Sequence, residues 1–277
     1  MVSRGAMKQA VLVRPQWHDA PARDAVDPRI VMAPLQVLRP CAPPSSVVSD
    51  FAKASSPWVV FTSPASVQAY ARWSDAYGIR WLRDPWVRVA AVGSGTCDEL
   101  QREHVARHTP VSDAWSFSIE SVLHSETDEK ADAKSLLAAF DAEHDRSPFD
   151  WSAQTLFVIQ AVDNRPTLAD GLRARGAKVV ETVLYERCDV EWGPAIWERL
   201  QSFEWSSTGI VVTSSGMVEK IIAQLVRRGV AVHELIWCTH HATIALRLQD
   251  QGLRPIRRVR LSPEHLLSDL FTHEHVW

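Results

Sequence analysis

The chain has 277 residues, 46% of them hydrophobic, with 30 basic and 33 acidic residues and a formal net charge of -3. This length holds one large domain or two smaller ones with a sizeable core. The charge balance excludes the global basic field of a nucleic-acid binder and the acidic block of a disordered tail. Cys41, Cys97, Cys188 and Cys238 are scattered without a CxxC pair, and read as free thiols in a reducing cytosol. The opening stretch MVSRGAMKQAVLVRPQW has too short an apolar run for a secretory leader. No run approaches the ~18 apolar residues of a membrane span. A cytoplasmic protein without membrane attachment is expected.

In chain order, short apolar runs read as strands: AVLVR (10–14), WVVFT (58–62), VRVAAV (87–92), TLFVI (155–159), KVVETVLY (178–185), GIVVT (209–213) and ELIWCT (234–239). Continuous apolar runs of this kind suit strands buried on both faces of a parallel sheet. Helical patterns lie between them at 66–77, 96–103, 166–175, 216–228 and 243–251. The alternation predicts a doubly wound α/β fold. The charged stretch 126–148 reads as a solvated helical insertion. The 12 tryptophans are dispersed and read as packing residues.

A long repeat organises these elements. VVFTSPASVQAY (59–70) is echoed by IVVTSSGMVEKI (210–221), and VAAVGSGTCDELQ (89–101) by LIWCTHHATIALRLQ (235–249). SFSIESVL (116–123) pairs with LSPEHLLSDL (261–270). The offsets fall from 213 − 62 = 151 through 243 − 96 = 147 to 262 − 118 = 144, a drift that loop lengths explain. Two similar α/β domains follow, and the spacing is too long for a solenoid. The second unit lacks a following strand–helix–strand, and the N-terminal segment can supply its missing strands. The expected organisation is a discontinuous domain of 1–36 with 192–277, an inserted domain of 46–183, and linkers at 37–45 and 184–191.

The repeated turns are uncharged and rich in hydroxyls. Ser and Thr at such places are ordinary helix N-caps, each worth about 1 kcal/mol. Several at the carboxyl ends of parallel strands also mark a ligand crevice. The turn VGSGT (92–96) lacks both the third glycine of a dinucleotide fingerprint and the Lys-Ser/Thr of a phosphate loop, but opens a helix whose amides attract anions. Arg14, Arg72, Arg165 and Arg187 fall near the expected crevice rims and suit an acidic small molecule. Tyr185 stands where the second linker begins, and a phenol there can donate a proton to a leaving group. His240-His241 and the terminal HEHVW (273–277) have no cysteine cluster beside them, so no metal is expected. No GxSxG elbow supports a serine triad.

The ordered set VLVRP, APLQVLRP, WVVFTSPASV, VAAVGSGTCDEL, RPTLADGLRARGAKVVETVLYER, IVVTSSGMV and SPEHLLSDL resembles the uroporphyrinogen-III synthase family over nearly the whole chain. The resemblance implies two flavodoxin-like doubly wound parallel-sheet domains joined by a two-stranded linker, with the active site in the cleft between them. It implies closure of hydroxymethylbilane, a linear polycarboxylate tetrapyrrole, with loss of water and inversion of ring D. It also implies no cofactor, a monomer, and transient contact with the preceding pathway enzyme. By resemblance Tyr185 is the catalytic acid, and Arg14, Thr62, Ser63, Thr96, Arg165, Thr213, Ser214 and Thr243 bind substrate. Three places depart from the family pattern: CTHHAT (238–243) has no glycine turn, IQAVDNR (159–165) lacks the glycine before its arginine, and the segment between Pro15 and Arg29 is short for a full helix and loop. The alternative reading is a two-lobed, non-catalytic binding or regulatory protein for an acidic small molecule, derived from the same fold.

Overall fold

Strand–turn–helix units built from those runs recur through the computed structural model, which describes residues 7–19, 27–55, 57–107, 115–124, 132–261 and 263–272. In chain order the elements are β1 (Gln9–Val13), β2 (Gln16–Trp17), β3 (Ile30–Met32), β4 (Gln36–Pro40), α1 (Ser46–Lys53), β5 (Pro57–Phe61) and α2 (Pro64–Tyr77). Next come β6 (Arg88–Ala91), α3 (Ser94–Ala106), β7 (Leu123–His124), α4 (Ala133–Arg146), β8 (Thr155–Ala161), α5 (Thr167–Ala174) and β9 (Lys178–Asp189). The chain continues with α6 (Pro194–Leu200), β10 (Thr208–Val212), α7 (Val218–Arg227), β11 (Ile236–Thr239), α8 (Ala242–Asp250), β12 (Ile256–Arg258) and α9 (Pro263–Phe271). The HEHVW motif lies outside the described residues, as do 126–131 of the expected insertion.

Contacts divide the chain into two compact units, Arg39–Arg187 and the flanking residues up to Leu38 and from Cys188. The flanking unit holds a five-stranded sheet in the order β12-β11-β10-β1-β3, with every neighbouring pair parallel. Its residues alternate between two apolar clusters. Val11, Val13, Ile210, Val212 and Trp237 pack under α7 and α8 on one face, while Ala10, Leu12, Val211, Ile236 and Cys238 pack with Met7 and Leu270 on the other. Burial on both faces is what the unbroken apolar runs require. It also pushes the Cys238 thiol up to about 12.

The second sheet has the order β2-β4-β9-β8-β5-β6-β7. The pairs β5–β8, β5–β6, β6–β7 and β8–β9 are parallel. Bonds from Cys41 N–H to Leu184 O and from Val190 N–H to Leu35 O show β4 and β9 running antiparallel. The two-residue β2 pairs with β4, so this piece of the N-terminal segment belongs to the second sheet and not to that of β1. One face carries Trp58, Val60, Leu156 and Val158 against α4 and α5. On the other, Phe51 stacks on Trp81, which meets Phe157, while Tyr70 meets Phe61, Trp73 and Trp115. These tryptophans are packing residues.

Two expectations change here. The insertion is not a solvated helix: α4 buries Leu136, Leu137 and Phe140 in the core. A Cβ at Gly171 would overlap Leu137, so glycine lets α5 approach α4 closely. Within α4 the charged Lys134, Asp141, Asp145 and Arg146 are exposed, and in the sequence they mask a three-residue apolar stripe. The third repeat pairing also shifts. SFSIESVL leads into β7 and ends in its first residue, whereas 263–271 forms α9 after β12. Since β7 and β12 hold the same edge position in their sheets, the partner of α9 is α4.

In α9, the Asp269 side chain is 3% exposed and accepts from Arg260 N–H, Nε and Nη2 at 2.8, 3.0 and 2.7 Å. The guanidinium holds the Asp269 carboxyl down to about 2, below its ordinary 3.8. A depressed carboxylate contributes stability above the unfolded value and loses it as pH falls through the folded one. Asp269→Asn is therefore expected to unfold at lower denaturant than wild type at neutral pH. The gap should close between about pH 4 and pH 2, as followed by circular dichroism. A gap that persists at pH 2 would refute this account.

Candidate active site

The strand order of each sheet reverses at one point, and in open α/β sheets the carboxyl ends of the strands at such a point are where ligands bind. In the Arg39–Arg187 unit this point lies between β5 and β8. Thr62, just beyond β5, donates its hydroxyl to the Ile159 carbonyl at 3.0 Å. Ser63 then caps α2. Its Oγ accepts from Ser66 N–H at 3.2 Å, Ser63 N–H reaches Ser66 Oγ at 3.1 Å, and Pro64 opens the helix. The sequence TSPAS writes this locally: an N-cap serine, a proline preset for the first helical position, and a polar residue three positions after the cap.

Tyr185 meets Ser63 from a strand 122 residues away in sequence. Along β8 and β9 the register runs Ile159↔Thr182 and Gln160↔Val183, then slips to Ala161↔Tyr185. This bulge gives Tyr185, rather than Leu184, the sheet face shared by Thr182 and Ile159. The phenol is 0% exposed, with its Oη 3.0 Å from Ser63 Oγ and 3.4 Å from Arg187 Nη2. Arg187 is itself held by Asp163 at 2.7 Å. Residues two apart on a strand share a face, which is how Tyr185 and Arg187 come together. That spacing was a readable sign of the pairing; Asp163, on a loop, carried none.

The remaining turns of this unit differ in what they present. Gly93 caps α3 at φ 74° and ψ 164°, a region that only glycine occupies readily. It brings no side chain, so the first amides of α3 are left without a side-chain cap. Thr96, expected from the resemblance to bind substrate, is 1% exposed and donates its hydroxyl to the Val92 carbonyl at 2.7 Å. Its hydroxyl closes the β6–α3 turn. Arg165 is exposed, with no ion pair among the described residues.

The other unit repeats the pattern between β10 and β1. Thr213 donates to the Val13 carbonyl at 3.0 Å, as Thr62 does to Ile159. Ser214 diverges from Ser63: it precedes a short 3-10 turn and makes no side-chain cap bond. Arg14, beyond β1, is exposed. In CTHHAT, His241 replaces the missing turn glycine as a cap, its Nδ1 accepting from Thr243 N–H at 3.2 Å. The Thr243 side chain is exposed. Burial, with the neighbouring His241, pulls His240 down to about 4, which leaves it neutral at ordinary pH. Among the described residues no three His, Cys, Asp or Glu side chains gather to hold a metal ion, and no helix is long and apolar enough to cross a membrane.

Two sheets dominated by parallel strands, with hydroxyls at their strand ends and a buried phenol bonded to a capping serine, define a mixed α/β protein. The family model "Uroporphyrinogen-III synthase HemD" matches residues 28–268, and the chain belongs to that family, lyases of haem biosynthesis. The fold is shared with two solved structures. One is the uroporphyrinogen-III synthetase of Helicobacter pylori, at 13% identity and a TM-score of 0.57, over 93% of this chain and 96% of that one. The other is a mutant uroporphyrinogen III synthase of the extremely thermophilic bacterium Thermus thermophilus, at 12% identity and 0.51, over 92% and 94%. No curated protein matches the sequence.

Proposed function

We propose that the strand-end turns described above carry out the family's reaction, closing hydroxymethylbilane to uroporphyrinogen III with loss of water and inversion of ring D. The observation that carries this reading is the 3.0 Å contact between Tyr185 Oη and Ser63 Oγ at a point where strand order reverses. The substrate's pyrroles are electron-rich and react once the terminal hydroxyl leaves. The protein must assist that departure and hold the chain so that ring D is attacked at its substituted carbon. Most of this is positioning, with one general acid contributing roughly 10²–10⁴-fold. Tyr185 is that acid.

Ser63, Ser214, Thr243, Arg14 and Arg165 are the substrate-facing groups in this reading, together with the first amides of α3. Thr62, Thr213 and Thr96 hold the turns in shape. Anions at helix starts gain about 0.3–1 kcal/mol each, so many weak donors can hold many carboxylates. The two units are read as flavodoxin-like domains, 1–36 with 192–277 and 46–183, joined by β4 and β9. The chain-order pattern of the five-stranded sheet, 2-1-3-4-5, supports this, and the divisions after Leu38 and Arg187 fall inside the proposed linkers. A monomeric, cofactor-free, cytoplasmic enzyme that receives substrate through transient contact with the preceding pathway enzyme completes the reading.

One assay tests it. Hydroxymethylbilane is supplied, the product oxidised, and the I and III isomers resolved. Isomer III should dominate with enzyme present. A ratio equal to the enzyme-free control would instead favour a non-catalytic binding protein.

A further inference from the structure

We infer that Ser63, and not the Tyr185 phenol directly, hands the proton to the departing hydroxyl, with Tyr185 and Arg187 behind it as a relay. The inference rests on Tyr185 being the acid and adds how its proton reaches the substrate. Tyr185 is 0% exposed, whereas Ser63 is partly exposed at the end of β5. Counting donors and acceptors fixes one end of the chain. A guanidinium has donors only, so the Arg187–Tyr185 bond at 3.4 Å is donated by Arg187. Either hydroxyl can donate across the 3.0 Å contact between Tyr185 Oη and Ser63 Oγ, and the relay runs in the arrangement where the phenol donates to Ser63 Oγ. In that arrangement Ser63 Oγ also accepts from Ser66 N–H, so both of its lone pairs are occupied. What it has left is its own O–H, on the partly exposed residue of the pair.

The step balances. The substrate C–O bond breaks, its electron pair leaves with the oxygen, and the Ser63 proton converts that oxygen to water. Ser63 takes the Tyr185 proton, and the phenolate rests beside the Arg187 guanidinium, which Asp163 holds in place. The pyrrole nitrogen supplies electrons to the carbon left behind. After ring closure the tetrapyrrole gives up one proton, and the same path returns it to Tyr185. Ser63 is thus the catalytic residue at the substrate, and Tyr185 and Arg187 act through it.

The test uses Ser63→Gly, Ser63→Thr, Tyr185→Phe and the double variant Ser63→Gly/Tyr185→Phe in the full-length protein. Glycine is a good N-cap and serves nearly as well as serine, so Ser63→Gly keeps α2 while removing the hydroxyl; an unchanged thermal midpoint confirms it. Ser63→Gly and Tyr185→Phe should each lower kcat for isomer III by about tenfold or more with a smaller change in KM. The double variant should be no slower than the slower single variant, because the two groups serve one path. Ser63→Thr should recover most of the rate. If Tyr185→Phe slows turnover and Ser63→Gly does not, Tyr185 acts without Ser63 and the relay is wrong while the acid stands. If Tyr185→Phe leaves kcat unchanged, the acid assignment falls and the relay with it. Losses that multiply in the double variant also overturn the relay.

Discussion

Tyr185→Phe is expected to lower kcat for isomer III by about tenfold or more, with the protein still folded. The ring stays, and it is the ring that fills the 0%-exposed site. The oxygen goes, and with it the group between Ser63 and Arg187. Neither neighbour is stranded: Ser63 is partly exposed, and Arg187 is 25% exposed and keeps Asp163. Both can turn to water, so the stability cost is that of an ordinary hydrogen bond, about 1 kcal/mol. A loss confined to kcat separates the chemical step from substrate holding, because removing a uniform binding contact raises KM and leaves kcat. Single-turnover measurement of isomer III formation, beside a denaturant curve, checks both halves. Unchanged turnover would remove Tyr185 as the acid. Unfolding would mean that the hydroxyl is structural.

The largest expected loss of stability follows Trp237→Ala. Trp237 lies in β11, is 1% exposed, and packs among Ile210, Val212 and the residues of α7 and α8. Its Nε1 donates to the Val232 carbonyl at 3.0 Å, which ties the strand to the turn that leads into it. Truncation loses the transfer energy of the indole, opens a cavity, and leaves Val232 O without that donor. Changes of this type cost about 3–5 kcal/mol, a large part of the ~5–15 kcal/mol that holds a typical fold. Urea unfolding should show a lower midpoint with little change in slope. Trp237→Phe, which keeps most of the volume, should fall between the two. A Trp237→Ala midpoint matching wild type would contradict the packing account.

The strands were legible because a parallel sheet buried on both faces writes itself as unbroken apolar runs. All seven runs became strands to within a few residues. The turns were legible because Thr-Ser-Pro-Ala-Ser is a cap written in adjacent residues. The α4 insertion was misread because Leu136, Leu137 and Phe140 are outnumbered by charges that face water. The third repeat pairing was misread because β7 has two residues, too few for a period to register. Thr96 and Ser63 look alike in sequence, both beside strand-end turns, yet one is closed into its turn and the other remains partly exposed. His241 as a cap was missed because an imidazole accepts at that position only when its ring is turned to do so.

Local sequence therefore determined which segments are strands, where helices start, and that two copies of one hydroxyl-bearing turn exist. These properties depend on neighbours within a few residues, and the chain carries them without help from afar. Tertiary structure alone decided which hydroxyls stay exposed and which are spent. A one-residue slip between β8 and β9 decided it for Tyr185, because in a strand a shift of one position exchanges faces. No local pattern records that slip. It sets the phenol 3.0 Å from a serine 122 residues earlier, and on that distance the chemistry proposed for this protein depends.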